Sequence, residues 1–228
     1  MPISNSESLT LKKNIDFSED GLLNYAMNLS RREGGVKEKL LHWDFGPLMT
    51  MKHDVKATNY LFSDEAVPFH WDGAFATEPE KLLFYCTESE GEGGETLFVN
   101  TEKVFESLTS EEKELCSKVT LTYETKKLAH YGGKIIVPLV QKHPHTGKTI
   151  LRMAEKVETN LNPVSLTIEG VDNVEDFYQW LKEKLYTFAE AHSWNKGDLI
   201  LVDNFTYLHG RRPLGANRSR AFKRLQIL

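Results

Sequence analysis

The 228-residue sequence predicts a mainly β fold with flanking helices, arranged as a sandwich or jelly roll. Three observations predict it. From about residue 66 onward, short runs rich in β-branched and aromatic residues recur, punctuated by Gly, Pro, Asn and Asp. Only three stretches carry helical periodicity. Strands do not alternate regularly with helices, and there is no GxGxxG or Walker-type loop, which argues against a doubly wound nucleotide-binding sheet.

The elements follow in chain order. Ser8–Lys12 alternates as a strand. Leu22, Tyr25, Ala26 and Leu29 share one helical face, predicting an amphipathic helix over 19–31 that the run Arg32-Glu33-Gly34-Gly35 ends. Strands are then predicted at Leu82–Cys86, Glu95–Val99, Lys118–Thr125, Ile135–Val140, Thr149–Met153, Asp198–Val202 and Arg220–Leu228. A helix is inserted at 110–117, where Thr109 and Glu112 have capping-box spacing. A longer one spans about 174–190, with Val174, Phe177, Leu181, Leu185 and Phe188 in one apolar stripe. Length suits a single domain, 1–228, in which 1–65 supply a strand, a helix and a connection, and 66–228 form the core.

Composition narrows the function. With 40% hydrophobic and 27% charged residues and a net charge of −5, no basic face for nucleic acid or anionic membrane stands out. No segment approaches the ~20 apolar residues of a membrane span, and the N-terminus lacks a signal-peptide core. Two cysteines, Cys86 and Cys116, make no disulfide framework; buried free thiols and a cytoplasmic location are the expectation.

Chemistry concentrates at four places. In His70-Trp71-Asp72 an imidazole and a carboxylate two residues apart face one point, as i and i+2 do in extended chain. Gly197–Asn204 runs as a turn and apolar strand towards His209, whose imidazole would complete two histidines and one carboxylate. That facial set leaves three positions of a non-haem iron open. Arg220 and Arg224 lie 11 and 15 residues beyond His209, and 220, 222, 224 and 226 share one strand face. Projecting inward, the two would call for an anionic partner, which a guanidinium grips through two hydrogen bonds; facing outward, they would make a basic edge strand in solvent. Thr96, in Gly93-Gly94-Glu95-Thr96, offers a further hydroxyl 26 residues after His70. The same spelling occurs in His42-Trp43-Asp44, so the spelling alone does not choose between the two.

Those motifs, in this order and spacing over residues 66–228, resemble the TauD/TfdA-like iron(II)- and 2-oxoglutarate-dependent oxygenases. The resemblance implies a double-stranded β-helix (a clavaminate-synthase-like jelly roll) and an enzyme using Fe(II), 2-oxoglutarate and O2. It implies His70, Asp72 and His209 as iron ligands. Arg220 would bind the distal carboxylate of 2-oxoglutarate with Thr96 assisting, and Arg224 would support that carboxylate or the substrate. Asp203 and Asn204 would hold the His209 loop. Halogenating relatives carry a small residue where Asp72 stands, so chlorination is disfavoured. Within the family the isonitrile-pathway oxygenases are most similar, through Val67–Gly73, Ala129–Tyr131, His143-Pro144, Ile150–Met153 and Asp203–Arg211. This implies desaturation with loss of carboxylate, or hydroxylation, of a small amino-acid-derived isonitrile carboxylate such as tyrosine isonitrile, made by a partner isonitrile synthase. Alternatives are a hydroxylase of a sulfonate or free amino acid, or a non-catalytic metal-binding jelly roll. Arg152, His130, Tyr131 and Tyr207 are substrate-side candidates. Against typical members the chain starts late, which leaves N-terminal substrate contacts and a homo-oligomeric assembly open.

Overall fold

A computed structural model describes residues 3–29, 40–54, 56–57, 59–126, 132–215 and 219–228. The first half holds β1 (Leu9–Lys12), α1 (Glu19–Leu29), β2 (Met49–Lys52), a 3-10 turn (Tyr60–Phe62), β3 (Val67–His70), β4 (Lys81–Glu90), β5 (Thr96–Asn100), α2 (Thr101–Ser107) and α3 (Ser110–Ser117). The second holds β6 (Thr120–Thr125), β7 (Gly133–Pro138), β8 (Val140–Lys142), β9 (Thr149–Leu151), β10 (Ser165–Glu169), α4 (Val174–Thr187), β11 (Glu190–His192), β12 (Leu199–Asp203), β13 (Tyr207–Arg211) and β14 (Ser219–Ile227).

Two antiparallel sheets form the body, in the orders β1-β12-β4-β14-β2 and β11-β5-β13-β3. Alternation places Leu82, Phe84 and Cys86 of β4, Phe222 of β14, Phe98 of β5 and Tyr207 of β13 in one shared cluster between the sheets. The opposite residues of the larger sheet, Leu83, Tyr85, Leu199 and Leu225, bury against Leu22 and Ala26 of α1. On the outer side of the smaller sheet, Phe69, Leu97, Val99 and Leu208 pack with Leu121, Leu181 and Leu185. This is the predicted jelly roll, with helices covering both outer faces.

Differences from the expected elements have local causes. All five residues of β13 are buried, so no in–out alternation marks it as a strand. The short α2 is started by Asn100, whose side chain accepts from the Lys103 amide. The predicted strand start at Lys118 is instead the C-cap of α3, and the capping box at Thr109 and Glu112 is formed. The last helix stops at Thr187 because β11 pairs with β5 from Glu190. Of its stripe, Phe177, Leu181 and Leu185 are buried while Val174 is exposed. The predicted end of the first helix, 30–35, lies outside the described residues. Among the described residues no helix is long and apolar enough to cross a membrane.

Candidate active site

His70 ends β3 and stands directly opposite His209 in the β3–β13 ladder. Cross-strand register therefore joins two imidazoles far apart in sequence, with ring centroids 4.2 Å apart. Asp72 lies two residues beyond, where Gly73 turns the chain at φ +81°; a Cβ there would lie 2.3 Å from the Thr77 carbonyl oxygen, so glycine alone fits. Asp72 Oδ1 is 3.8 Å from His70 Nε2 and 3.6 Å from His209 Nε2. One donor atom from each of the three residues lies within 4.8 Å of the others.

Protonation suits a cation. Burial pushes His70 down to about 4 and holds His209 well below the ordinary histidine value, so both rings are neutral at pH 7. The His70 Nδ1–H donates to the Pro68 carbonyl at 2.9 Å, which leaves the Nε2 lone pair pointing at Asp72. The other carboxylate oxygen of Asp72, Oδ2, accepts from Gln226 Nε2 at 2.6 Å and lies against the Arg224 guanidinium. Oδ1 is thereby the oxygen left for the histidine side. Two neutral imidazoles and one carboxylate oxygen are a donor set for a first-row divalent metal, and iron(II) fits it.

Two cavities meet at this cluster, both lined by His70 and Arg224. The smaller is walled by Thr96, Trp194, Phe84, His209, Arg220 and Phe222. Trp194 Nε1 donates to Thr96 Oγ1 at 2.8 Å, so the threonine hydroxyl hydrogen is directed elsewhere. Arg220 donates to the Gly94 carbonyl and lies 4.4 Å above the Phe222 ring. Arg220, Phe222 and Arg224 all line this cavity and Gln226 the larger one, across a register shift in the β14–β4 ladder between Ala221 and Phe222. The larger cavity, about 780 Å³, is lined by Asp72, Gln226 and many aromatic residues.

Comparison with known proteins decides the family. The model of the taurine catabolism dioxygenase TauD, TfdA family, matches residues 13–226. The chain belongs to the TauD/TfdA dioxygenase family. A Fischerella ambigua family relative named 3-((Z)-2-isocyanoethenyl)-1H-indole synthase is 39% identical over 200 residues, 83% of this chain and 73% of that one. A tyrosine isonitrile desaturase of Pseudomonas aeruginosa is 30% identical over 83% of this chain and 68% of its own length. The crystal structure of PvcB from Pseudomonas aeruginosa superposes with a TM-score of 0.76 at 25% identity, covering 96% of this chain and 75% of that one.

Within this family frame the remaining candidates separate. Arg152, 2% exposed, lines neither cavity. It donates to Glu78 at 3.0 Å and to the Asn204 carbonyl at 2.6 Å, and sits 4.6 Å over the Trp71 ring. Its charge is therefore occupied in tying the Asp72 turn to the loop before β13. Tyr207 also lines neither cavity; its ring packs between the sheets. His130 and Tyr131 lie outside the described residues. Sequence reading placed Asn204 near His209, but its side chain grips Asp72: Oδ1 accepts from the Asp72 amide at 3.0 Å and Nδ2 donates to the Asp72 carbonyl at 3.1 Å. Gln226 was not predicted, although the 220–226 periodicity points to it. Trp194 carried no signal in the sequence.

Proposed function

We propose that this chain is an Fe(II)- and 2-oxoglutarate-dependent dioxygenase that desaturates an aromatic amino-acid-derived isonitrile carboxylate, with loss of its carboxylate as CO2. The observation that carries the reading is the convergence of His70, Asp72 and His209 where two separately lined cavities meet. Those three residues hold the metal. Arg220 and Thr96 hold the distal carboxylate of 2-oxoglutarate in the smaller cavity, and Arg224, shared by both cavities, supports a carboxylate at their junction. When bound, iron(II) activates dioxygen at the expense of 2-oxoglutarate, which becomes succinate and CO2.

The chain's own residues position and shield. Gln226 and Asn204 keep Asp72 turned so that one oxygen serves the metal. Phe84, Phe222 and Trp194 keep water from the co-substrate end. The aromatic lining of the larger cavity holds the substrate so that its side-chain methylene faces the cluster. One turnover removes a proton, two electrons and CO2 from the substrate, leaving a carbon–carbon double bond beside the isocyano group. Dioxygen takes those two electrons and two from 2-oxoglutarate. The isocyano group must be installed beforehand, so the functional partner is an enzyme that forms isonitriles from amino acids.

The test is succinate release from the Fe(II)-loaded protein with a panel of 2-isocyano acids, taurine and free amino acids. Succinate from the 2-isocyano acid of tryptophan or tyrosine, with a vinyl isonitrile product, is expected; succinate from taurine alone would overturn the substrate class. Arg220→Ala is expected to raise the KM for 2-oxoglutarate about thirtyfold, the loss of a charge-assisted hydrogen bond of about 2 kcal/mol. An unchanged 2-oxoglutarate KM removes Arg220 from this role.

A further inference from the structure

We infer that the turn Trp43–Gly46 is an aromatic rim that reads the ring of the substrate, with Phe45 and Trp43 as specificity-determining residues. The inference rests on the isonitrile reading above and names how its ring is recognised.

Both feet of this segment stand on β14, the strand that carries Arg224 and Gln226. At one foot Leu40 bridges to Ile227 and the Leu41 amide donates to the Gln226 carbonyl at 2.9 Å. At the other, Met49 opens β2 in register with Arg224. The residues between are thereby carried to the larger cavity, and Leu41, His42, Trp43, Phe45 and Leu48 line it.

The turn itself is closed. The Trp43 amide donates to the Gly46 carbonyl at 3.0 Å, and the Gly46 amide donates back at 2.9 Å. Gly46 has φ +101°, where a residue with a side chain is disfavoured. This closure sets Phe45 at the turn tip, with its ring stacked on Trp43 at 6.4 Å and 13°. Phe45 is nonetheless 62% exposed, among the most exposed large apolar residues described. An aromatic ring left in water at a cavity mouth gains when a second flat ring covers it.

The cavity's chemistry supplies the polarity of binding. Asp72 and Arg224 are at the metal end, where a carboxylate and isocyano head belong; the other charged lining residue, Glu155, has its carboxylate taken up by the Phe69 amide, the Tyr186 hydroxyl and Lys182. Trp71, Phe75 and Tyr123 line the body and the Trp43–Phe45 pair the rim. A cavity of about 780 Å³ is larger than an aliphatic amino-acid side chain fills, and its aromatic walls match a planar occupant. The His42-Trp43-Asp44 spelling takes no part in the candidate metal cluster, yet the fold brings its His42 and Trp43 to the wall of the larger cavity.

Phe45→Ala and Trp43→Ala test the rim, with Phe45→Tyr as the conservative control. Phe45 is exposed, so its truncation leaves folding intact. The Fe(II)- and 2-oxoglutarate-loaded protein is titrated without oxygen with the 2-isocyano acids of tryptophan and of leucine, and kcat and KM are then read from succinate. Phe45→Ala should weaken binding and raise KM for the tryptophan-derived acid about tenfold. Its kcat should stay within about twofold, the leucine-derived acid should bind as before, and Phe45→Tyr should recover the wild-type values. Equal losses for both acids, no loss for either, or a fall in kcat alone would overturn the rim. If the wild-type protein binds and turns over neither acid, the isonitrile reading fails and the rim with it; wild-type turnover with indifferent variants refutes the rim alone.

Discussion

Asp72 is held by two amides from opposite ends of its own residue. Asn204, fully buried, closes on its backbone and also donates to the Pro79 carbonyl at 2.9 Å, while Gln226 takes its outer carboxylate oxygen. Supporting groups of this kind typically carry 10–100-fold in metal affinity. Asn204→Ala is therefore expected to weaken Mn(II) binding by about that range, read by electron paramagnetic resonance titration of the folded variant; an unchanged affinity refutes the positioning role. The His-x-Asp pair and the distant histidine were legible because short spacing and residue type state them directly. The two amides were not: they reach Asp72 across 132 and 154 residues, and only the folded register says which amide arrives. Cys116 illustrates a legible residue of another sort. Buried as expected from its apolar surroundings, its thiol is pushed up to about 11. It stays protonated at pH 8 because the pH lies below that value. Native protein should leave Cys116 unmodified by a thiol-exchange reagent at pH 8, and denatured protein should not; rapid native modification at this position contradicts the burial.

At the scale of elements, helix starts and apolar strands such as Leu82–Cys86 and Glu95–Val99 were readable, whereas β13 and the short alternating β2 were not. The capping box of α3 was stated by Thr109 and Glu112, and the structure forms both of its bonds, at 3.2 Å and 2.8 Å. Because that helix end is exposed and far from the cavities, Thr109→Ala should cost about 1 kcal/mol of stability, measured by urea unfolding, with kcat/KM unchanged. A loss of activity in the folded variant would mean that α3 touches the chemistry. β13 is the opposite case. It carries His209, yet Tyr207–Arg211 is absent from the predicted strands, because five buried residues that include His209, Gly210 and Arg211 show neither a period of two nor a continuous apolar run. Arg152 shows how an element can redirect a side chain's meaning. Placed within the predicted strand Thr149–Met153 and offered as a substrate-side candidate, it has its guanidinium occupied by Glu78 and the Asn204 carbonyl. Arg152 thus bridges the segment after Asp72 and the loop entering β13, so the segments bearing the candidate ligands Asp72 and His209 are coupled through it.

For the whole molecule, the candidate metal cluster is where the two sheets and their loops agree. His70 and His209 come from the smaller sheet, the Gln226 and Arg224 contacts come from the larger, and Asp72 lies between them. A cation bound there ties both sheets together and binds the folded state alone, since the unfolded chain scatters its ligands. Linkage then sets the size of the effect: metal at a hundred times its dissociation constant stabilises by about 2.7 kcal/mol. For a domain of this length that corresponds to about 5–10 °C in Tm. Calorimetry of the chelator-treated protein, with and without excess Mn(II), should show that rise at pH 7. Below about pH 4 it should vanish, because burial holds the imidazole of His70 neutral only down to that value and a protonated ring rejects the cation. Asp72→Ala should abolish the rise at every pH. Each variant is compared with itself, with and without metal, so a lower starting stability does not disguise the result. A full rise in Asp72→Ala would place the stabilising metal elsewhere and remove the cluster as its site.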